Sequence, residues 1–110
     1  MKLTEQKCEA CEGGVAPLNK VEADILLKQI PGWEVSADVK NISRDYAFKN
    51  FKEALDFVNK VGGLAEQEGH HPDIHLTNYK HVSIVLRTHA IDGISNNDFI
   101  LAAKIDETSA

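Results

Sequence analysis

Between residues 50 and 69 apolar side chains recur at helical spacing, at Phe51, Ala54, Leu55, Val58, Val61 and Ala65, and on either side of that run the period falls to two. A short chain that passes from strand pattern to helix and back must bury one face of a sheet against that helix, which leaves few layer arrangements. Asn50 and Glu53 form a capping pattern at the start of the helix, and Gly69 suits the left-handed position that ends it. Gly62-Gly63 inside it is a local conflict. Each glycine costs about 1 kcal/mol relative to alanine unless close packing needs the missing side chain.

Downstream, residues 79–88 alternate Val82, Ile84 and Leu86 with His81, Ser83, Val85 and Arg87, and residues 74–77 join them as a hairpin. Upstream, residues 33–37 and 39–48 read as two strands around a tight turn near Asp38, with Ile42, Tyr46 and Phe48 on one face. A short helix precedes them, capped by Asn19 and Glu22, striped by Val21, Ile25, Leu26 and Ile30, and ended by Pro31-Gly32. A last helix starts after Ser95, with Asp98 at its third position and Phe99, Ala102, Ala103 and Ile105 along one side. The predicted order is α-β-β-α-β-β-α. It describes an α+β fold, a single two-layer domain over residues 19–110, in which three helices cover one face of a four-stranded antiparallel sheet. Its uncovered sheet edges invite pairing, so a homodimer is expected.

Apolar residues make up 43% of the 110, enough for one core without a metal or disulfides. The net charge of −5 and the scattered Lys and Arg exclude direct nucleic-acid binding of the phosphate-tracking kind. No run approaches the roughly 20 apolar residues of a membrane span, and no apolar leader is legible, so a cytoplasmic protein is expected. Residues 1–18 lack a hydrophobic period and read as a flexible N-terminal arm. Both cysteines, Cys8 and Cys11, lie in this arm as a C-x-x-C pair, without the strand-to-helix context of a redox motif or the second pair of a structural zinc site.

Residues 69–75, GHHPDIH, concentrate imidazole where the long helix ends. Histidine alone has an unperturbed pKa, about 6.5, near neutrality, so the cluster points to metal ligation, proton transfer or a pH switch. His71 and His75 have the i, i+4 spacing of a helical metal pair, but Pro72 pushes His71 into extended backbone, so the two should not share a helical face and no metal is expected. His75 and His81 fit the polar sides of strands. Glu66, four residues before His70, can orient an imidazole or a ligand from the last helical turn. No nucleophile elbow such as G-x-S-x-G is present, which leaves acid/base work as the best functional class.

The ordered set Glu66, His70-His71-Pro72, Tyr79, His89 and Asp98 resembles the signature of the pterin-4a-carbinolamine dehydratase family. The resemblance extends over PGW at 31–33, FKEALDFVNKV at 51–61 and NDFILAAKID at 97–106. It implies dimers or tetramers, no metal or organic cofactor, and a pterin as substrate. It further implies the dehydration of 4a-hydroxytetrahydropterin to quinonoid dihydropterin, which recycles the pterin of aromatic amino-acid hydroxylases. Under it, His70, His71 and His89 correspond to active-site histidines, and Glu66, Asp98 and Trp33 are expected to bind substrate. Adjacent residues of an extended segment point to opposite sides, so His70 and His71 should differ in role. The expected division gives proton transfer to His71 and His89 and positioning to His70. Asp98 has a second reading as a helix cap, and Trp33 a second reading as core. The alternative from another class is a non-catalytic dimerisation module or protein partner of the same fold.

Overall fold

The computed structural model describes residues 2–8 and 16–109. Three helices, α1 (Lys20–Leu27), α2 (Phe51–Glu68) and α3 (Asn96–Ser109), alternate with four strands, β1 (Glu34–Val35), β2 (Ile42–Ala47), β3 (Asp73–Thr77) and β4 (His81–Leu86), in the predicted order. Single 3-10 turns at Leu3–Glu5 and His89–Ile91 are additions to it. The strands form one antiparallel sheet in the order β1-β2-β4-β3. Tyr46 lies opposite Val82, and Ile74 opposite Ile84. With Ile42 and Leu86 these line the helix-covered face, while Ser43, Asp45, His75 and Ser83 occupy the other. No helix among the described residues is long and apolar enough to cross a membrane.

The caps follow their sequence signals. Asn19 and Glu22 close a reciprocal capping box, and the Asn50 side chain accepts from the Glu53 N–H. Burial corrects the predicted stripes. In α1 the buried positions are Ala23 and, just beyond the helix, Ile30, whereas Val21 and Ile25 are exposed. In α2 Ala54, Phe57, Val61 and Ala65 face the core, while Phe51 and Leu55 do not. Apolar residues spread around both helices left the buried side to be chosen by tertiary packing. A Cβ at Gly62 or Gly63 would meet nothing within 4 Å, so packing in this chain does not require either glycine.

α3 is apolar on more than one side, with Phe99, Ile100, Leu101, Ala102 and Ile105 all buried. Such a helix needs cover all round. Part of that cover comes from the N-terminal segment expected to be a mobile arm: its Leu3–Glu5 turn packs on α3 and Leu3 is only 3% exposed. Cys11 of the C-x-x-C pair lies outside the described residues.

Candidate active site

α2 stops at Gly69, whose φ of 67° is left-handed, and the N–H groups of Gly69 and His70 both reach the Ala65 carbonyl. This Schellman-type ending throws His70 off the helix axis at a fixed angle. Its Nε2 stands 2.6 Å from Asp98 Oδ1. Asp98 occupies the first turn of α3 and is fully buried. Its Oδ2 accepts from the Ser95 N–H at 3.0 Å and from the Thr88 hydroxyl at 2.9 Å. Thr88 has one hydroxyl hydrogen, so the 2.8 Å contact between Thr88 Oγ1 and Ser95 Oγ is donated by serine. The predicted capping role of Asp98 is therefore present, since its carboxyl takes the N–H of the capping Ser95.

With Oδ2 filled by two donors, Oδ1 accepts from the His70 Nε2–H, which leaves His70 Nδ1 as the nitrogen without a protein partner among the described residues. Three donors hold the carboxyl, and the carboxyl holds the ring. The ring itself is 12% exposed. Asp98, expected to bind substrate, instead has no exposed surface and spends both oxygens on protein groups.

His71 turns the other way. Its Nε2 pairs with Glu66 Oε2 at 2.5 Å, and both side chains are open to solvent, at 64% and 78%. Glu66 thus orients an imidazole as expected, but that of His71, not of the His70 four residues on. His89 is exposed in the turn after β4, one residue beyond Thr88, whose hydroxyl donates to Asp98. Trp33 is not part of this group. It lies in the core at 5% exposure, and its Nε1 donates to Asp106 at the other end of α3. Among the described residues no three His, Cys, Asp or Glu side chains are grouped to hold a metal ion.

Thr88 escaped the sequence reading although a signal existed. It continues the inward phase of Val82, Ile84 and Leu86, and a hydroxyl at an inward position must find a partner.

The end of α2, the segment after β4 and the start of α3 therefore meet at the His70–Asp98 pair, with His71, paired to Glu66, next to His70 in sequence and His89 next to Thr88. The family model described as pterin 4 alpha carbinolamine dehydratase matches residues 16–108. A protein of Halorhodospira halophila is 46% identical over 110 residues, covering all of both chains. One of Rubrobacter xylanophilus is 49% identical over 105 residues, covering 96% of each. Both carry a pterin-4-alpha-carbinolamine dehydratase name given provisionally. Among solved structures, a transcriptional coactivator/pterin dehydratase from Brucella melitensis superposes with a TM-score of 0.80 at 28% identity, covering 86% of this chain and 99% of that one. A pterin dehydratase-like protein identified as a RuBisCO assembly factor in the alpha-carboxysome shares the fold, with a TM-score of 0.62 at 20% identity over 72% of this chain and 90% of its own. The chain belongs to the pterin-4a-carbinolamine dehydratase family.

Proposed function

We propose that the protein is a hydro-lyase that dehydrates 4a-hydroxytetrahydropterin to quinonoid dihydropterin by histidine acid/base catalysis. The reaction breaks the C4a–O bond, removes the N5 proton and forms the C4a–N5 double bond, releasing water. It needs one proton delivered to the departing hydroxyl and one taken from N5. Groups that exchange protons near neutral pH serve both steps, each worth about 10²–10⁴ in rate.

The observation that carries this reading is the His70–Asp98 pair, an imidazole fixed by a buried, fully engaged carboxyl with its second nitrogen unpartnered among the described residues. Proton transfer needs such fixed geometry, and a ring held only by a solvent-exposed carboxylate is poorly restrained. The proposed division of labour thus exchanges the expected roles of the adjacent pair and keeps that of His89. His70 transfers protons at Nδ1 with His89 as its partner across the site, and His71, braced by Glu66, binds and orients the pterin. The test is the decay of 4a-hydroxytetrahydropterin followed with and without the protein, and a rate no faster than the spontaneous one removes the proposal.

A homodimer belongs to the same reading. β3 pairs on one side with β4, has no strand on its other side among the described residues, and at five residues is the longer of the two sheet edges. A second copy pairing there would satisfy its outward backbone groups. Phe51 and Leu55, exposed one turn apart on α2, offer a face on which dimers could join into tetramers. Sedimentation equilibrium checks this, and a monomer at micromolar concentration rejects it.

A further inference from the structure

Beside the His70–Asp98 contact, the last turn of α2 is joined to the middle of α3 by a second one. Glu68, two residues before His70, places Oε2 3.0 Å from Lys104 Nζ, with 7% and 15% of the two side chains exposed. Its Oε1 accepts the Cys8 N–H at 3.0 Å. The Cys8 thiol reaches on to the carbonyl of Asn97 at 3.5 Å, one residue before Asp98. Cys8 therefore spans from the end of α2, two residues before His70, to the first turn of α3, which carries Asp98, and the buried Leu3 anchors the same segment to α3.

We infer that Cys8, Glu68 and Lys104 form a latch that positions the His70–Asp98 pair, so that the N-terminal segment is part of the catalytic framework. This rests on the reading of His70 as the proton-transfer group. The chemistry of each member suits the task. Both oxygens of Glu68 are engaged, so its carboxylate bridges the segment and α3 without an idle acceptor. Burial, reinforced by the charge of Glu68, pushes the Cys8 thiol up to about 12, so it stays an S–H donor to Asn97 and does not become a thiolate. A latch of this kind acts at a distance. It leaves pterin binding to other residues, and its loss lets the imidazole and its carboxyl drift apart, where a displacement near 1 Å costs up to about 10²-fold in rate.

The test uses Cys8→Ala, which removes the thiol donor, Cys8→Ser, which restores a donor, and Glu68→Gln. Because Glu68→Gln strands a partly buried ammonium, Glu68→Gln/Lys104→Gln is made beside it, keeping an amide link without charge. Two readouts are taken: steady-state dehydration kinetics, and the exchange rate of the His70 Nε2 proton by nitrogen-edited NMR. The latch predicts that Glu68→Gln lowers kcat by about tenfold or more with KM within about twofold, that Cys8→Ala lowers it by a few fold, and that Cys8→Ser stays near wild type. The Nε2 proton should exchange faster in the same order. If the wild type does not accelerate dehydration, the functional reading fails, and the proton-exchange arm still decides the latch. Folded Cys8→Ala and Glu68→Gln proteins that both match the wild type in kcat and in His70 proton exchange would overturn it, as would a Glu68→Gln defect fully reversed in the double variant beside a Cys8→Ala protein that matches the wild type.

Discussion

α3 carries one aspartate near each end, and the two have opposite uses. Asp98 takes one imidazole, one hydroxyl and one N–H, and the imidazole it holds keeps a nitrogen without a partner among the described residues. Asp106, about 12 Å along the helix at 1.5 Å per residue, accepts from Trp33 Nε1 at 3.0 Å, Arg44 at 2.9 Å and the Tyr46 hydroxyl at 2.6 Å. Here the bonds end in groups with no evident chemical task. Burial together with the Asp106 hydrogen bond pushes the Tyr46 phenol above its ordinary range, which keeps it a donor. The Arg44 guanidinium also lies 4.7 Å over the Tyr46 ring. On the proposed reading, similar carboxyl groups on one helix serve a site at one end and a clasp at the other, according to whether the partner is an imidazole with a second nitrogen to offer.

Exchanging each carboxyl for its amide separates the two roles. Asp98→Asn should lower kcat by about 10²-fold or more, because an amide can donate to Nε2 and impose the wrong tautomer on His70. Asp106→Asn should leave kcat within about twofold and instead cost about 2–3 kcal/mol in urea unfolding, through weakened charge-assisted bonds. Equal catalytic losses from the two would erase the distinction between site and clasp.

A smaller effect should follow pH. Burial alone would raise the Glu68 pKa, but the Cys8 N–H and the Lys104 ammonium outweigh it and hold the carboxyl below the usual glutamate range. A lowered folded-state pKa stabilises the fold above the unfolded value, about 4.3, and the contribution fades as pH falls through the folded value. Wild type should therefore exceed Glu68→Gln in stability at pH 7, and the gap should narrow below about pH 4. A gap unchanged down to pH 3 would mean that the charge of Glu68 contributes nothing.

The local half of this comparison was legible and the distant half was not. Asn19, Asn50, Gly69 and the Ser95–Asp98 cap act within a few residues, so spacing alone placed them. The order of elements followed from period changes for the same reason. His70 and Asp98 were both singled out, but the contact that gives them meaning joins positions 28 apart, and spacing carries no record of it. Trp33 and Asp106 are 73 apart, which is why the sequence leaves the indole between a core reading and a site reading. The N-terminal segment was missed because one 3-10 turn with one buried leucine has no period to detect. The Gly62-Gly63 conflict persists in the folded helix. Gly63→Ala, at an exposed helical position with open space for a methyl group, should raise stability by about 0.5–1 kcal/mol, the smallest change foreseen. A loss of stability would show that something in the assembled protein needs that glycine.

The central claim is that the histidine fixed by a buried carboxyl, and not its exposed neighbour, moves the proton. Steady-state dehydration of synthetic 4a-hydroxytetrahydropterin by His70→Ala and His71→Ala, each first shown to be folded by circular dichroism, tests it most directly. The account predicts that His70→Ala loses about 10²-fold or more in kcat with KM little changed, while His71→Ala chiefly raises KM. A His70→Ala enzyme with nearly normal kcat, beside a His71→Ala enzyme whose kcat has collapsed, would contradict it.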